Sequence, residues 1–330
     1  MVKISLLTFA EIVPTNVAGV IDLIIGTNKY LEQTGKAPVF TLELIGENAE
    51  NISKAFNVPL HCFKTLEESG QSDIVIIPAF IEDPVITLYN NRNFIHWLKN
   101  GRTKETEIAS LCKGCYFLAE AGLLDGKEAT SHWASLNDLE KKYPRIILRS
   151  DVFITDHDGI YTSGGGISSL KLILYLIEKF CGREMALIIS KLFTLEIQRT
   201  NLAHFAIFMG QHQHGDEEIL RAQHYIEKHY GKEISLESIS MEVNMGSRNF
   251  IRRFKAATTN TPFEYIQRVR IESAKKAIEM NERDISTIVY DSGYNDLQTF
   301  RSVFKRITGL SPQEYKKKYA RSIKKVEKQA

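Results

Sequence analysis

Cys112 stands where an apolar run, TEIASL, meets a glycine turn and the start of a helical pattern; His132 follows 20 residues later. A thiol at a strand-to-helix turn meets the free N–H groups and dipole of the helix N-terminus, which favour thiolate. With a histidine to move its proton, such a thiol could act as a nucleophile. Cys112-Lys113-Gly114-Cys115 is also a C-x-x-C spacing, a redox motif in a thioredoxin-like setting, with Lys113 able to favour thiolate. Here, however, it follows several strand–helix units, and Cys115 would lie about a turn inside a helix, where burial is commoner than exchange. The ordinary reading of any one cysteine is a small buried hydrophobe. His212-Gln213-His214 suggests a metal pair, but it lies in a polar connecting segment, TNLAHFAIFMGQHQHGDEE, with no third ligand beside it. It reads as solvated loop histidines, and no metal or cofactor is expected.

A second set of candidates sits in an internal repeat. FIRRFKAATTNTPFEY (250–265) aligns without a gap on FRSVFKRITGLSPQEY (300–315), with Phe250/Phe300, Phe254/Phe304, Lys255/Lys305, Thr258/Thr308, Pro262/Pro312, Glu264/Glu314 and Tyr265/Tyr315 identical. Before each copy comes a short amphipathic pattern, SLESISMEV or ISTIVYDS, and a turn containing Gly246 or Gly293. Helix, glycine turn, helix is the helix-turn-helix unit, whose second helix enters the major groove of DNA. Ser247 is the expected N-cap of the first such helix, and Asn295 or Asp296 of the second. Phe250 and Phe254, four residues apart, face inward, which leaves Arg248, Asn249 and Arg252 outward. The same wheel around Phe300 and Phe304 leaves Gln298, Thr299 and Ser302 outward, with Asp296 at the tip. Arg matches guanine edges and Asn or Gln matches adenine. Arg253, Lys255, Lys305 and Arg306 are placed for phosphates. A single charged helix is usually a solvated face; two copies in a basic segment point to DNA.

Stepping from these residues to the elements that carry them, residues 1–215 alternate β-rich runs (VKISLLTF, VFTLELIG, SDIVIIPAF, TEIASLC) with helical patterns. Runs such as IVIIP are apolar throughout, as expected of parallel strands covered on both faces. The expected fold is a doubly wound, flavodoxin-like α/β domain, whose ligands bind at the carboxyl ends of the strands. An all-α domain with two helix-turn-helix units follows.

Charge divides the same way. Residues 1–215 hold 20 Lys+Arg against 24 Asp+Glu, a net of −4, whereas residues 216–330 hold 22 against 16, a net of +6. A basic third on a slightly acidic body implies a polyanionic partner for that third alone. The last 30 residues carry 10 basic against 2 acidic side chains, part of which is an ordinary solvated lysine tail. No uncharged apolar run is long enough for a membrane span, and four cysteines at 62, 112, 115 and 181 form no disulfide framework, which fits a reducing cytoplasm.

SLCKGCYFLAEAGLLDGKEATSHW, with SDIVIIPAF before it and IYTSGGGISSLKLILYLIEKF after it, resembles the ThiJ/PfpI-type, class I glutamine amidotransferase-like domain. GYNDLQTFRSVFKRITGLSPQEYKKK resembles the AraC/XylS DNA-binding domain. Their order is similar to that of the GlxA-type transcription regulators. The resemblance implies that Cys112 is the nucleophile-elbow cysteine and His132 the pocket histidine. It implies seven helices in the second domain, with PFEYIQRVRIESAKKAIEM joining two recognition helices set in successive major grooves. The family's enzymes place a glutamate beside the thiol. Counting back from Asp22, the matching position is Asn16, and the nearest acid, Glu11, falls earlier. Without that carboxylate, Cys112, His132 and Asn16 are expected to form a vestigial pocket rather than a catalytic site.

The expected organisation is a sensor or dimerisation domain at 1–195, a linker at 196–215, a DNA-binding domain at 216–320 and a basic tail at 321–330. The expected function is sequence-specific, cytoplasmic regulation of transcription by a homodimer on double-stranded DNA, with a small-molecule effector of unknown identity and no membrane partner. The alternatives are a cysteine-dependent hydrolase or glyoxalase-like enzyme fused to a DNA-binding module, and a redox-sensing regulator acting through Cys112 and Cys115.

Overall fold

The computed structural model describes residues 1–47, 64–100, 103, 105–196, 202–212, 214–281 and 283–320. Cys62 and the basic tail at 321–330 lie outside these residues. The chain divides into two compact units, Met1–Leu202 and Ala203–Ala330.

In the first unit the strands are β1 (Val2–Thr8), β2 (Phe40–Gly46), β3 (Lys64–Thr65), β4 (Ile74–Ile77), β5 (Glu107–Ser110), β6 (Glu128–Ala129), β7 (Ile147–Leu148), β8 (Ile154–His157) and β9 (Ile160–Ser163). Seven of them form one sheet in the order β3-β2-β1-β4-β5-β9-β8, and β6 pairs with β7 apart from it. Every neighbour pair of the large sheet is parallel except β8 on β9. All four residues of β4 and of β9 are buried, which is why their sequences are apolar or neutral throughout instead of alternating.

The helices are α1 (Pro14–Gln33), α2 (Pro84–Asn90), α3 (Arg92–Asn100), α4 (Cys115–Glu120), α5 (Leu136–Lys142), α6 (Lys171–Cys181) and α7 (Arg183–Leu192). α1 packs with α6 and α7, and α3 with α4; right-handed crossovers leaving β1 in one direction and β4 in the other put these groups on opposite faces. The direction of strand addition reverses between β1 and β4. In a doubly wound sheet the crevice at that reversal, beyond the carboxyl ends of the strands, is where ligands bind.

The second unit contains, among the described residues, seven helices: α8 (Glu217–His229), α9 (Leu236–Glu242), α10 (Ser247–Thr258), α11 (Pro262–Met280), α12 (Ile285–Asp291), α13 (Leu297–Thr308) and α14 (Pro312–Tyr319). They enclose two separate cores. One gathers Ile219, Ala222, Ile226, Ile239, Val243, Phe250, Phe254, Tyr265 and Ile266. The other gathers Ile271, Ala274, Ile278, Ile288, Val289, Phe300, Phe304 and Tyr315. The long helix α11 lends its first half to one core and its second half to the other, so a single rigid rod fixes both.

The repeat is realised contact by contact. Phe254 meets Tyr265 edge-on at 5.3 Å, and Phe304 meets Tyr315 at 5.4 Å. The Thr258 hydroxyl donates to the Phe254 and Asn260 carbonyls, as Thr308 does to Phe304 and Leu310. Thr261 with Glu264, and Ser311 with Glu314, form capping boxes at the starts of α11 and α14. The identical Thr, Pro, Glu and Tyr positions therefore carry helix ends and core, while the outward faces of α10 and α13 differ.

Two local expectations change. Gly246, not Ser247, is the N-cap of α10; it offers no side-chain bond, and Ser247 is the first helical residue. The described part of the expected linker, from Ala203 onward, lies on the second unit. Phe208 stacks edge-on to Tyr265 at 5.1 Å, its N–H donates to Glu272, and Lys275 donates to the Ala206 carbonyl at 2.5 Å.

Candidate functional site

Cys112 sits at the carboxyl end of β5 with φ = 54°, a left-handed backbone that a non-glycine residue adopts only under local constraint. The constraint is visible. Gly114 passes so close to the end of β4 that a Cβ there would lie 2.7 Å from the Ile77 carbonyl oxygen and 2.9 Å from that of Pro78. The Ser131 hydroxyl donates to the Cys112 carbonyl at 2.9 Å. The glycine loop after β9 joins Cys112 to His132: the Gly166 N–H bonds the Cys112 sulfur, and a Cβ on Gly165 would fall 2.0 Å from His132 Cδ2.

Burial opposes the pull of the helix terminus at Cys112. Cys112 is 7% exposed, and burial pushes its thiol above the ordinary value, only partly offset by the Gly166 and Lys113 N–H groups and the Lys113 charge. Desolvation outweighs the helix terminus because the charged form loses its water. Lys113 itself turns outward to the Ile81 carbonyl at 3.2 Å. Burial, and then the charge of Lys113, hold the His132 imidazole below its usual value, and Nδ1 accepts from the Ala134 N–H. Cys115 is fully buried and pushed up to about 12. Burial thus favours the neutral form of both thiols and of the imidazole.

Asn16 is buried, accepting from the Ala79 N–H and donating to the Ser169 hydroxyl, both at 3.2 Å. Its amide thus clamps the loop after β4 to the segment after the glycine loop, a framework role. Glu11 receives the side-chain amides of Asn90 and Asn91 at 2.9 and 3.0 Å, so the acid nearest in sequence is engaged at the end of α2.

In the second unit, Arg248, Asn249, Arg252 and Lys255 are exposed on α10, and Gln298, Thr299, Ser302, Lys305 and Arg306 on α13. Asn249 accepts from Arg252 at 2.9 Å, one helical turn apart. Asp296 caps α13, its carboxylate accepting from the Thr299 N–H at 2.6 Å, and those bonds hold it below the usual carboxylate range. Arg306 donates to the Gln267 amide of α11 at 2.5 Å. Arg253 does not face outward as expected. Its guanidinium holds Asp216 at 2.6 and 2.9 Å and Glu218 at 2.7 Å. The repeat explains why: position 253 corresponds to Val303, which is buried.

Comparisons with known proteins divide the chain at the same place. The DJ-1/PfpI family matches residues 27–179, and a helix-turn-helix domain family matches residues 239–318. The chain carries a DJ-1/PfpI domain followed by a helix-turn-helix domain. Over 227 residues it is 25% identical to the HTH-type transcriptional regulator GbdR of Pseudomonas aeruginosa, covering 68% of this chain and 61% of that protein. Over 209 residues it is 22% identical to the HTH-type transcriptional regulator GlxA of Rhizobium meliloti, covering 62% and 63%. The chain thus spans less than two thirds of the length of these relatives. A Vibrio parahaemolyticus crystal structure aligns at TM-score 0.50 and 17% identity over 58% of this chain and 98% of that one, a likeness of fold.

The helix-turn-helix domain also holds two arginines outside the expected set. Arg301 is exposed on α13, three residues from Gln298; its spacing alone could have found it. Arg270 on α11 donates to the carbonyls of Tyr230 and Lys232, both at 2.9 Å, while facing the Tyr294 ring at 5.5 Å. Only the tertiary fold reveals that. His212, read as lacking a third ligand, meets His224 and Glu227 of α8, whereas His214 bonds Gln223 at 2.8 Å.

Proposed function

We propose that this chain regulates transcription by reading DNA with α10 and α13, under the control of a small molecule bound by its DJ-1/PfpI domain. The observation that carries the reading is the repeat itself. Two helix-turn-helix units repeat the same core positions and the same capping boxes at α11 and α14, are clamped on one rod, and differ in their exposed polar and basic faces. Arg248, Asn249 and Arg252 would read bases from α10; Gln298, Thr299 and Ser302 would read them from α13, with Asp296 fixing the start of that helix. Lys255, Lys305 and Arg306 would hold phosphates. Arg253 is left out, since its charge is already met by two carboxylates.

Turnover at Cys112 is not part of this proposal: burial favours its protonated form, and among the described residues the groups that shift it are Gly166 and Lys113, not a carboxylate. The effector would bind on the DJ-1/PfpI domain, where α6, α7 and the entry to the edge strand β8 form a cleft of about 960 Å³ lined by Phe153, Lys171, Leu174, Tyr175, Arg183 and Lys191. The protein would act as a dimer, for which α2 offers Val85, Ile86 and Tyr89, exposed by 60, 56 and 70%. No helix among the described residues is long and apolar enough to cross a membrane.

The test is selection of bound duplexes from a random pool with the full chain, followed by salt titration. Two sequence blocks about one helical turn apart and affinity falling steeply with salt are expected. Recovery of no motif, with a flat salt dependence, would remove the reading.

A further inference from the structure

His224 and Glu227 lie three residues apart on α8 and so share one face of that helix. His212 reaches them from the segment before the helix. One ligating atom from each of the three lies within 4.8 Å of the other two. His212 Nε2 is 3.0 Å from a Glu227 carboxylate oxygen, and the rings of His212 and His224 meet at 5.6 Å and 62°. Although so near that oxygen, the buried His212 Nε2 has no hydrogen-bond partner. The two atoms lie side by side as ligands do, without the angle of a donor and an acceptor.

The approach is built in. Gly210 has φ = 70°, and a Cβ on it would stand 2.4 Å from His212 Nε2 and 2.7 Å from the Tyr265 hydroxyl. Only glycine lets the segment curl this tightly over the site. Glu227 is oriented through the oxygen that faces His212, Oε1, which accepts from the Tyr265 hydroxyl at 2.5 Å, while Gln223 donates to that hydroxyl at 3.0 Å. A carboxylate has lone pairs to spare for a further partner, and carboxylates that ligate metals are commonly held by such a bond.

The second half of the domain serves as an internal control. There Glu279 accepts from Tyr315 at 2.5 Å, so the glutamate–tyrosine pair belongs to the frame of both halves. Three residues before Glu279 stands Lys276, where the first half has His224. The frame therefore accounts for the carboxylate but not for two histidines converging on it.

We propose that His212, His224 and Glu227 bind a transition-metal dication of the Zn²⁺ class, with water completing the coordination. Two imidazoles and a carboxylate are a ligand set suited to such an ion. With bonds of about 2.0–2.2 Å in a tetrahedral arrangement, the His212–Glu227 pair at 3.0 Å need only open slightly, and the exposed His224 side chain adjusts to meet them. Bound metal would clip the segment at 203–212 to α8. The site rests on this chain's own residues and stands or falls apart from the DNA reading.

The test uses the full chain, stripped of metal and of any affinity tag. It is titrated with Zn²⁺ by calorimetry and with Co²⁺ by visible absorption. The proposal expects one equivalent bound, with cobalt d–d bands and no sulfur charge-transfer band. His224→Gln, at an exposed position that leaves the circular dichroism unchanged, should weaken binding at least tenfold, and so should His212→Gln. A Cys112→Ser, Cys115→Ser double variant should bind as the natural chain does. Absence of binding at micromolar metal, undiminished binding in His224→Gln, or loss confined to the cysteine variant would each overturn the assignment.

Discussion

The Nε of Arg270 donates to the carbonyl oxygen of Tyr230 at 2.9 Å, tying the middle of α11 to the turn that follows α8. The same guanidinium reaches the Lys232 carbonyl and faces the ring of Tyr294. One side chain thus joins the rod to a loop of the first helix-turn-helix unit and to the core of the second. Gly293 completes the joint: a Cβ there would stand 2.4 Å from the Tyr230 carbonyl oxygen.

Arg270→Ala leaves two carbonyls without their charged donor. Hydrogen bonds to charged groups contribute about 1.5–3 kcal/mol each when lost from buried sites, and Arg270 is partly buried. We expect a lower urea midpoint for the second unit. Affinity should fall further for a duplex with both sequence blocks than for one with a single block. Equal losses on both duplexes would show that the clamp does not set the spacing of the two helices.

Arg252 and Arg253 are neighbours in sequence with different partners. Arg252→Ala should cost about 1–3 kcal/mol on the selected site if it reads a base, with little change in stability. Arg253→Ala should leave sequence preference intact and lower stability, since Asp216 and Glu218 at the start of α8 lose their cation. Binding isotherms and thermal melts of both variants separate the two roles. The result to look for is a crossed pattern.

The buried thiols set a pH dependence. Cys115 is raised from an ordinary 9.0 to about 12, and Cys112 is raised as well. In both, the folded state holds the proton more tightly than the unfolded chain. Their contribution to stability is therefore complete below about pH 9 and is lost as pH rises from there toward 12. Denaturation midpoints of the first unit should decline over that range. Alkylation of Cys112 by iodoacetamide should be slow at neutral pH and rise only in the alkaline range. Rapid alkylation at pH 7 would mean an activated thiolate instead.

Gly114→Ala tests the turn that holds Cys112. The added methyl meets two backbone carbonyls below 3.0 Å, and neither can move without shifting β4. Overpacking of this kind costs typically about 1–3 kcal/mol. The expected outcome is a lower melting temperature for the first unit with DNA binding by the second unit retained, read by calorimetry alongside a binding assay.

Much of this protein was legible in the amino-acid order because it is written in local or periodic terms. A uniformly apolar run marks the central strand β4; two phenylalanines four residues apart mark the inner faces of α10 and α13; an offset of 50 residues exposes the duplication. The rest depends on partners distant in sequence. Position 253 looks outward on a helical wheel, and only the fold brings Asp216, 37 residues earlier, to its guanidinium. A helix start beside Cys112 favours thiolate, yet the depth at which the fold sets that thiol reverses the balance, because desolvation is a property of the whole packed structure. Near it in the chain His212 has only His214, which turns to Gln223 instead. His212 acquires two metal-binding neighbours because a glycine turn folds its segment back over α8. Sequence settles what each residue can do; the tertiary structure decides which other residues it meets and how much water it keeps.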